Sequence, residues 1–207
     1  DTYPDLLLLS GWRFTDLITQ GDALRLLGAQ RELSFPPGSE HVYVNANYAL
    51  LAEVVARVSG GRFGDFLAER VFEPLGMDDT GYLPADEELE RIAPTEDDPW
   101  RGYVVRGEVH DENTHAMGGI APHAGLFSTA GDLARYAQMI LNGGVLEHRR
   151  ILSRQVVEQF SERCEVPGSE RAIGWDTKSP ERSSAGQYFS PRSFGHLGYT
   201  GTSMWID

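Results

Sequence analysis

The chain has 207 residues, a formal net charge of −13 and one cysteine, Cys164. At this length, and with 41% hydrophobic residues, it can bury a core without disulfide support. The acidic balance argues against nucleic acid as a partner, because that partner requires a basic surface. A single cysteine excludes an internal disulfide and multi-cysteine metal centres. No apolar run approaches the roughly 20 residues of a membrane-spanning helix.

Hydrophobic spacing predicts five helices in chain order. They are Thr15 to Gly28, Asn47 to Ser59, Phe63 to Phe72, Thr129 to Asn142, and a last helix that Ser153 caps and that runs through Phe160. Glycine pairs or a proline follow the second, third and fourth helices, as is common at helix ends.

The stretch from residue 78 to residue 128 has no regular periodicity and is dense in Asp, Pro and Gly. Long loops inside compact domains are usually functional or disordered. The apolar side chains of Tyr82, Leu83, Trp100 and Tyr103 favour an ordered loop here.

The final stretch, Phe189 to Ile206, is predicted as β structure with a turn at Thr200-Gly201. Helices that precede a sheet indicate the α+β class. The chain begins at Asp1 without Met and ends in a strand-like pattern, so we expect it to be part of a longer protein.

A first candidate site is formed by Tyr43 and Asn45, which follow the rigid Pro36-Pro37-Gly38 approach. In an extended segment, side chains two positions apart point to the same side, so both polar groups can face one cleft. A phenol shuttles protons only where nearby cations lower its pKa. The alternative is a tyrosine packed in a turn, with Asn as a helix cap.

A second candidate is His196, which glycines flank on the predicted terminal hairpin. Glycine beside a strand histidine lets a ligand approach the backbone closely. The alternative is a partly exposed histidine beside a tight turn.

A third candidate is a metal site of His110, Glu112 and His115, with His123 nearby. The spacing differs from the helical His-Glu-x-x-His motif, and a polar loop is the alternative. Gly118-Gly119 lacks the phosphate-loop patterns. We therefore predict neither a metal nor a cofactor.

Several segments in order resemble the serine β-lactamase and penicillin-binding-protein-like hydrolases of class C type, which include esterases and D-amino-acid peptidases. Ser10-Gly11 follows a leucine run and resembles the family's LLxHTSG turn, without its His-Thr. The other matching segments are Phe35 to Leu51 (FxPGxxxxYSNxxYxLL), Phe72 to Thr80 (PLGMxxT), Gly118 to Leu133 (AGGLxSTAxDLARF) and His196-x-Gly198 (Lys-Thr-Gly or His-x-Gly).

The resemblance implies an α+β, β-lactamase/transpeptidase-like fold, in which an all-helical domain packs beside an antiparallel sheet. Residues 1–172 would form mostly the helical domain, and residues 173–207 would begin the sheet. The fold would be incomplete in this chain. Relatives are commonly extracytoplasmic, which favours a periplasmic or secreted location.

The chemistry that the resemblance implies is acyl transfer to and from the Ser of a Ser-x-x-Lys helix. Tyr43 would shuttle the proton of the nucleophile, and Asn45 would hydrogen-bond the substrate. His196 would stand in for the lysine of the family's Lys-Thr-Gly strand motif, and Gly198 would be the glycine of that motif. The backbone N–H of Tyr199 would be an oxyanion donor. The expected partner is a small-molecule or peptide substrate.

Two departures from the family pattern matter. No Ser-x-x-Lys occurs in the 207 residues, so we expect the nucleophile upstream of Asp1 and expect this chain alone to be inactive. Leu197 stands where Thr is common, which favours an esterase or peptidase over a β-lactamase. Two alternatives stay open: Tyr199-Thr200-Gly201 as the strand motif, and a non-catalytic relative that binds peptidoglycan or peptides.

Overall fold

The computed structural model describes residues 19–207. The Ser10-Gly11 turn and the first part of the helix predicted from Thr15 lie outside these residues. Within them the chain forms two compact units, one of residues 19–33, 43–73 and 78–129, the other of residues 34–42, 74–77 and 130–207. The domain division into 1–172 and 173–207 stays a prediction.

The first unit begins with helices α1 (Gln20–Gly28) and α2 (Asn45–Ser59), which contact each other. A capping box starts α1: the Thr19 hydroxyl accepts from the Asp22 N–H, and the Asp22 carboxylate accepts from the Thr19 N–H. Helix α2 ends at Gly60, whose φ of 75° is left-handed.

The helix predicted as one piece from Phe63 to Phe72 has two parts. An α-helical turn, α3 (Phe63–Leu67), runs into a π-helical turn, Ala68–Phe72. The N–H of Glu73 donates to the Ala68 carbonyl five residues back. Phe72 is buried at the end of the π turn. A short helix, α4 (Glu73–Leu75), follows.

The stretch from residue 78 to residue 128 is ordered, as the apolar side chains predict. It contains strands β1 (Gly81–Tyr82), β2 (Asp97–Asp98), β3 (Tyr103–Val104) and β4 (Leu126–Phe127), a 3₁₀ helix (Asp86–Arg91) and helix α5 (Glu112–Ala116). Strand β1 pairs with β4 and β2 with β3, both antiparallel.

The second unit contains helices α6 (Ala130–Leu141) and α7 (Arg154–Ser161), with a hairpin of β5 (Val145–Leu146) and β6 (Arg149–Arg150) between them. Ser153 caps α7, as predicted: its hydroxyl accepts from the Val156 N–H at 3.2 Å.

The terminal sheet of the second unit has the order β7 (Asp176–Thr177), β8 (Phe194–Leu197), β9 (Ser203–Ile206), and its pairs are antiparallel. Strand β8 begins at Phe194, later than the predicted start of β structure at Phe189. Helix α6 contacts strand β9. Helices with small antiparallel sheets confirm the predicted α+β class.

Candidate active site

Tyr43 and Asn45 lie at the junction of an extended segment and helix α2. Val44 has extended dihedral angles, φ −141° and ψ 132°, and Asn45 is the first helical residue. The prediction that both residues belong to one extended segment, with the helix starting at Asn47, is therefore wrong. The Tyr43 side chain is about half exposed, and Asn45 is partly buried in the first helical turn.

Small residues explain why α2 starts early. Ala46 is buried with Ala23 of α1 and Ala116 of α5 in one hydrophobic cluster. Methyl side chains let the backbones approach closely, and this packing extends the helix two residues beyond the hydrophobic period. The first turn of α2 is therefore packed against α1 and α5.

Three histidines of the first unit contact separate carboxylates. His110 Nε2 lies 2.7 Å from Glu96, His115 Nδ1 lies 3.0 Å from Glu108, and His123 Nε2 lies 3.2 Å from Asp111. Within residues 19–207, no group of three or more His, Cys, Asp or Glu side chains could hold a metal ion. The His110–Glu112–His115 metal hypothesis therefore finds no geometry to support it, and the polar-loop alternative fits the contacts.

Asp111 joins two parts of this polar loop. Its carboxylate accepts from the Thr114 N–H at 2.7 Å and caps α5, and the same oxygen contacts the buried His123 ring. Burial raises the pKa of Asp111, but hydrogen bonds from His123 and Thr114 outweigh it, so the net pKa is lowered. The ionised carboxylate therefore holds the loop in place.

The buried Arg101 is a polar centre that sequence reasoning missed. Its guanidinium, only 3% exposed, contacts Asp98 at 2.9 Å and Glu108 at 3.0 Å. It also donates to the carbonyls of Val109 and His110 at 3.0–3.2 Å. A planar guanidinium with five N–H donors suits such a set of acceptors. Arg101 therefore fastens the β2–β3 hairpin to the segment before α5.

The glycines of the predicted Gly118–Leu133 segment allow close backbone packing. A Cβ at Gly125 would lie 2.5 Å from the Gly119 carbonyl oxygen, and Gly119 itself has a φ of 87°. The Tyr82 hydroxyl donates to the Ala121 carbonyl at 3.1 Å, and burial raises the pKa of Tyr82 to about 12. Tyr82 is therefore a neutral structural donor.

His196 lies on β8, at the centre of the three-stranded sheet. It pairs with Met204 of β9, and its Nδ1 lies 2.7 Å from the Leu197 carbonyl oxygen. Glycine is required on both sides of it: a Cβ at Gly195 would lie 2.2 Å from the Met204 oxygen, and one at Gly198 would lie 2.1 Å from Thr202 Oγ1. The glycine-flanked histidine therefore sits on a tightly fixed strand.

Tyr199 lies in the turn that follows β8. The Gly198 N–H donates to the Thr202 carbonyl at 2.7 Å, and the Gly201 N–H donates to the Gly198 carbonyl at 3.0 Å. The Tyr199 side chain is almost fully exposed. Of the two alternative motifs, His196-Leu197-Gly198 starts on the strand, whereas Tyr199-Thr200-Gly201 lies in the turn.

The predicted Pro-Leu-Gly-Met segment is buried in the second unit. Arg135 of α6 donates to the Leu75 carbonyl, and Arg149 donates to the Pro74 carbonyl at 3.2 Å. Leu75 and Met77 are buried. The segment therefore supports the α6 region and presents no catalytic group.

The predicted site residues fall into two sets. Tyr43 and Asn45 lie close together in the first unit, and His196, Gly198 and Tyr199 lie close together in the second.

Comparisons with known proteins agree on one family. The sequence model of the Beta-lactamase family matches residues 9–207. An Escherichia coli O157:H7 protein provisionally named D-alanyl-D-alanine carboxypeptidase is 31% identical over 204 residues, or 91% of this chain and 46% of that protein. The chain thus spans about half the length of the curated relatives it matches.

Solved structures show the same fold. A penicillin-binding protein from Bacillus halodurans has a TM-score of 0.65 and 20% identity, covering 95% of this chain and 56% of that one. The D-amino acid amidase from Ochrobactrum anthropi SV3 has a TM-score of 0.60 and 20% identity, covering 93% and 53%. Within residues 19–207, no helix combines the length and apolarity that a membrane crossing needs. The chain belongs to the Beta-lactamase family and has the β-lactamase/transpeptidase-like α+β fold.

Proposed function

We propose that the full-length protein that carries this chain is a serine hydrolase, which transfers acyl groups from esters, peptides or β-lactam-like amides through an acyl-enzyme. The observation that carries the proposal is the placement of Tyr43 and Asn45 just before and at the start of α2, beside the buried Ala46, in a chain whose family match runs through them. A protein provisionally named D-alanyl-D-alanine carboxypeptidase and a D-amino acid amidase among the similar proteins support this reaction class.

In this proposal, Tyr43 takes the proton of the attacking serine and returns it to the leaving group. General acid–base catalysis of this kind contributes about 10²–10⁴-fold in rate. Asn45 hydrogen-bonds the substrate amide or carbonyl, and its place in the first turn of α2 fixes its direction.

The strand residues have complementary roles. His196 takes the position of the family's strand lysine, and Gly198 keeps the backbone close to Thr202. The N–H of Tyr199 donates to the developing oxyanion, a contact whose loss costs about 10²–10³-fold in rate.

The nucleophile must come from outside these 207 residues. The single lysine, Lys178, has Trp175 three positions before it, so it cannot belong to a Ser-x-x-Lys motif. Its ammonium donates to the carbonyls of Gln187 and Phe189, which gives it a structural role. We place the Ser-x-x-Lys in the half of the relatives' length that this chain does not span. An extracytoplasmic location is part of the same proposal.

A second candidate is a non-catalytic relative that binds peptidoglycan or peptides. A lack of Ser-x-x-Lys in the part of the relatives' length that this chain does not span would favour it. Such a protein would bind acyl-D-alanyl ligands without forming a covalent bond.

Intact-mass measurement separates the two candidates. The full-length protein is incubated with a p-nitrophenyl ester, with nitrocefin and with an acyl-D-Ala-D-Ala peptide. A serine hydrolase gains the mass of one acyl group, and the gain disappears when the serine of the Ser-x-x-Lys is replaced by alanine. Ligand binding with no covalent adduct would show that the protein is a non-catalytic binding protein. The 207-residue chain is the matched control and should form no adduct.

A further inference from the structure

Helix α5 packs against the start of α2, where Tyr43 and Asn45 lie. Ala116, the last residue of α5, is buried with Ala46 and Ala23 in one hydrophobic cluster. Ala46 directly follows Asn45, the first residue of α2. All of these residues belong to the first unit. Because closely packed side chains transmit displacements, a shift of α5 would move the first turn of α2.

Helix α5 has only five residues, too few to be stable without tertiary contacts. At its start, the Asp111 carboxylate accepts from the Thr114 N–H at 2.7 Å. At its end, the Gly119 N–H donates to the Thr114 carbonyl at 2.8 Å, and the Gly118 N–H donates to the His115 carbonyl at 3.0 Å. The position of α5 therefore depends on the residues that flank it.

His123 connects the loop that follows α5 to the start of the helix. Its Nε2 lies 3.2 Å from Asp111 Oδ1 and 3.2 Å from Thr114 Oγ1. The His123 side chain is only 5% exposed, and Thr114 is fully buried. The lowered pKa of Asp111 keeps its carboxylate ionised at neutral pH, and an ionised carboxylate only accepts hydrogen bonds, so Nε2 donates to it.

The chain after His123 also lies close to α5. A Cβ at Gly125 would lie 2.5 Å from the Gly119 carbonyl oxygen and 3.1 Å from Thr114 Cγ2. The backbone on the C-terminal side of His123 is therefore packed directly against the middle of the helix, which keeps the histidine within reach of Asp111.

Resting on the proposed acyl transfer, we propose that Asp111 and His123 form a positioning pair for Asn45. The pair fixes α5, and Ala116 of α5 in turn supports Ala46, so the first turn of α2 holds Asn45 in the direction that acylation requires. Neither member of the pair contacts the reacting atoms in this proposal. A displacement of about 1 Å at a reacting group can cost about 10²-fold in rate.

The pre-steady-state acylation of the full-length protein by a p-nitrophenyl ester separates positioning from stability. His123→Leu keeps a bulky side chain and removes the donor, so the acylation rate at saturating ester should fall about 10- to 100-fold. The ester concentration that gives half-saturation should change much less. His123→Gln keeps an N–H donor and should retain a near-native rate. An unchanged rate in His123→Leu, or an equal fall in His123→Gln, would overturn the proposal.

Asp111→Ser tests the other member of the pair. Serine can still cap α5, but it brings no carboxylate to His123. The acylation rate should fall as far as in His123→Leu, and the double variant should fall no further, because both changes break the same contact. A native rate in Asp111→Ser, or losses that add in the double variant, would contradict the pair. Asp111→Ser also decides the proposal if His123→Leu does not fold.

Tyr82→Phe is the matched control, because it also removes one hydrogen bond inside the first unit, the one to the Ala121 carbonyl. It should lower the free energy of unfolding and leave the acylation rate near the native value. An equal fall in its acylation rate would show that general loosening of the unit lowers the rate, and the positioning role would be refuted.

Absence of acylation in the native full-length protein would instead contradict the proposed function. The positioning role is then decided by proton–nitrogen NMR of the Asn45 side-chain amide. Its signals should shift in His123→Leu and return to their native positions in His123→Gln. Signals that stay unchanged in His123→Leu would show that His123 does not position Asn45.

Discussion

The loop of the first unit and the terminal sheet of the second unit hold their polar residues in place by different means. In the loop, side chains do so: Arg101 and Asp111 bind carbonyls, carboxylates and a backbone N–H group between residues 98 and 123. In the sheet, close backbone packing does so. A Cβ atom at Gly195 or Gly198 would overlap with atoms of Met204 or Thr202. Buried charge is sensitive to the loss of a partner, and close packing is sensitive to added volume.

The largest effect is expected for Arg101→Ala. It leaves the buried Asp98 without its cation and two carbonyls without a donor, so the first unit should lose about 3–5 kcal/mol of unfolding free energy. Urea denaturation followed by tryptophan fluorescence measures it, since Trp100 lies beside Arg101.

Arg106→Ala is the matched control. Arg106 is exposed and makes one hydrogen bond, to the Ile92 carbonyl at 2.8 Å, so its loss should cost about 0.5–1.5 kcal/mol. Equal losses in the two variants would show that Arg101 does not organise the loop.

An intermediate effect is expected for Gly198→Ala. The added Cβ meets Thr202 Oγ1, and such overpacking costs about 1–3 kcal/mol. Because the obstacle is a side-chain atom, the second change Thr202→Ala should restore most of the stability. Thermal unfolding of the single and double variants tests this.

Gly195→Ala should not be rescued by truncating a side chain, because its nearest obstacle is the backbone oxygen of Met204. If Thr202→Ala does not restore the stability of the Gly198→Ala variant, the close contact between Gly198 and Thr202 is not what limits the residue at position 198 to glycine.

The smallest effect is expected in acid, at Asp111. Its pKa is lowered in the folded protein, so its contribution to stability is complete above the unfolded value of about 3.9 and is lost as pH falls through the folded value. Asp111→Asn should therefore flatten the fall in stability below about pH 4. Urea midpoints measured at a series of pH values provide the test. A variant that keeps the native slope would mean that Asp111 is not linked to folding.

Much of the helical framework could be predicted from the sequence, because apolar spacing and capping residues are local signals. Ser153 as the cap of α7 and Gly60 as the end of α2 are examples. The start of α2 at Asn45 could not be predicted, because it depends on Ala46 packing against residues of two other helices. The π turn could not be predicted either, because the apolar residues from Phe63 to Val71 follow the spacing of an uninterrupted α-helix.

The candidate site shows the same limit. The order of the motifs led to Tyr43, Asn45 and His196, and to the family. Asp98, Pro99 and Gly102 are turn residues that could have indicated the hairpin at Arg101. The burial of Arg101 could not be predicted, because its carbonyl acceptors lie eight and nine residues further along the chain.

Tyr43→Phe is the decisive substitution for the proposal that this chain supplies acyl-transfer groups to a serine hydrolase. The substitution removes one hydroxyl from a half-exposed side chain, so the fold should be unaffected. The measurement is the pre-steady-state acylation rate of the full-length protein with a p-nitrophenyl ester. We expect a rate lower by about 10²–10⁴-fold at unchanged stability. A near-native acylation rate would contradict it.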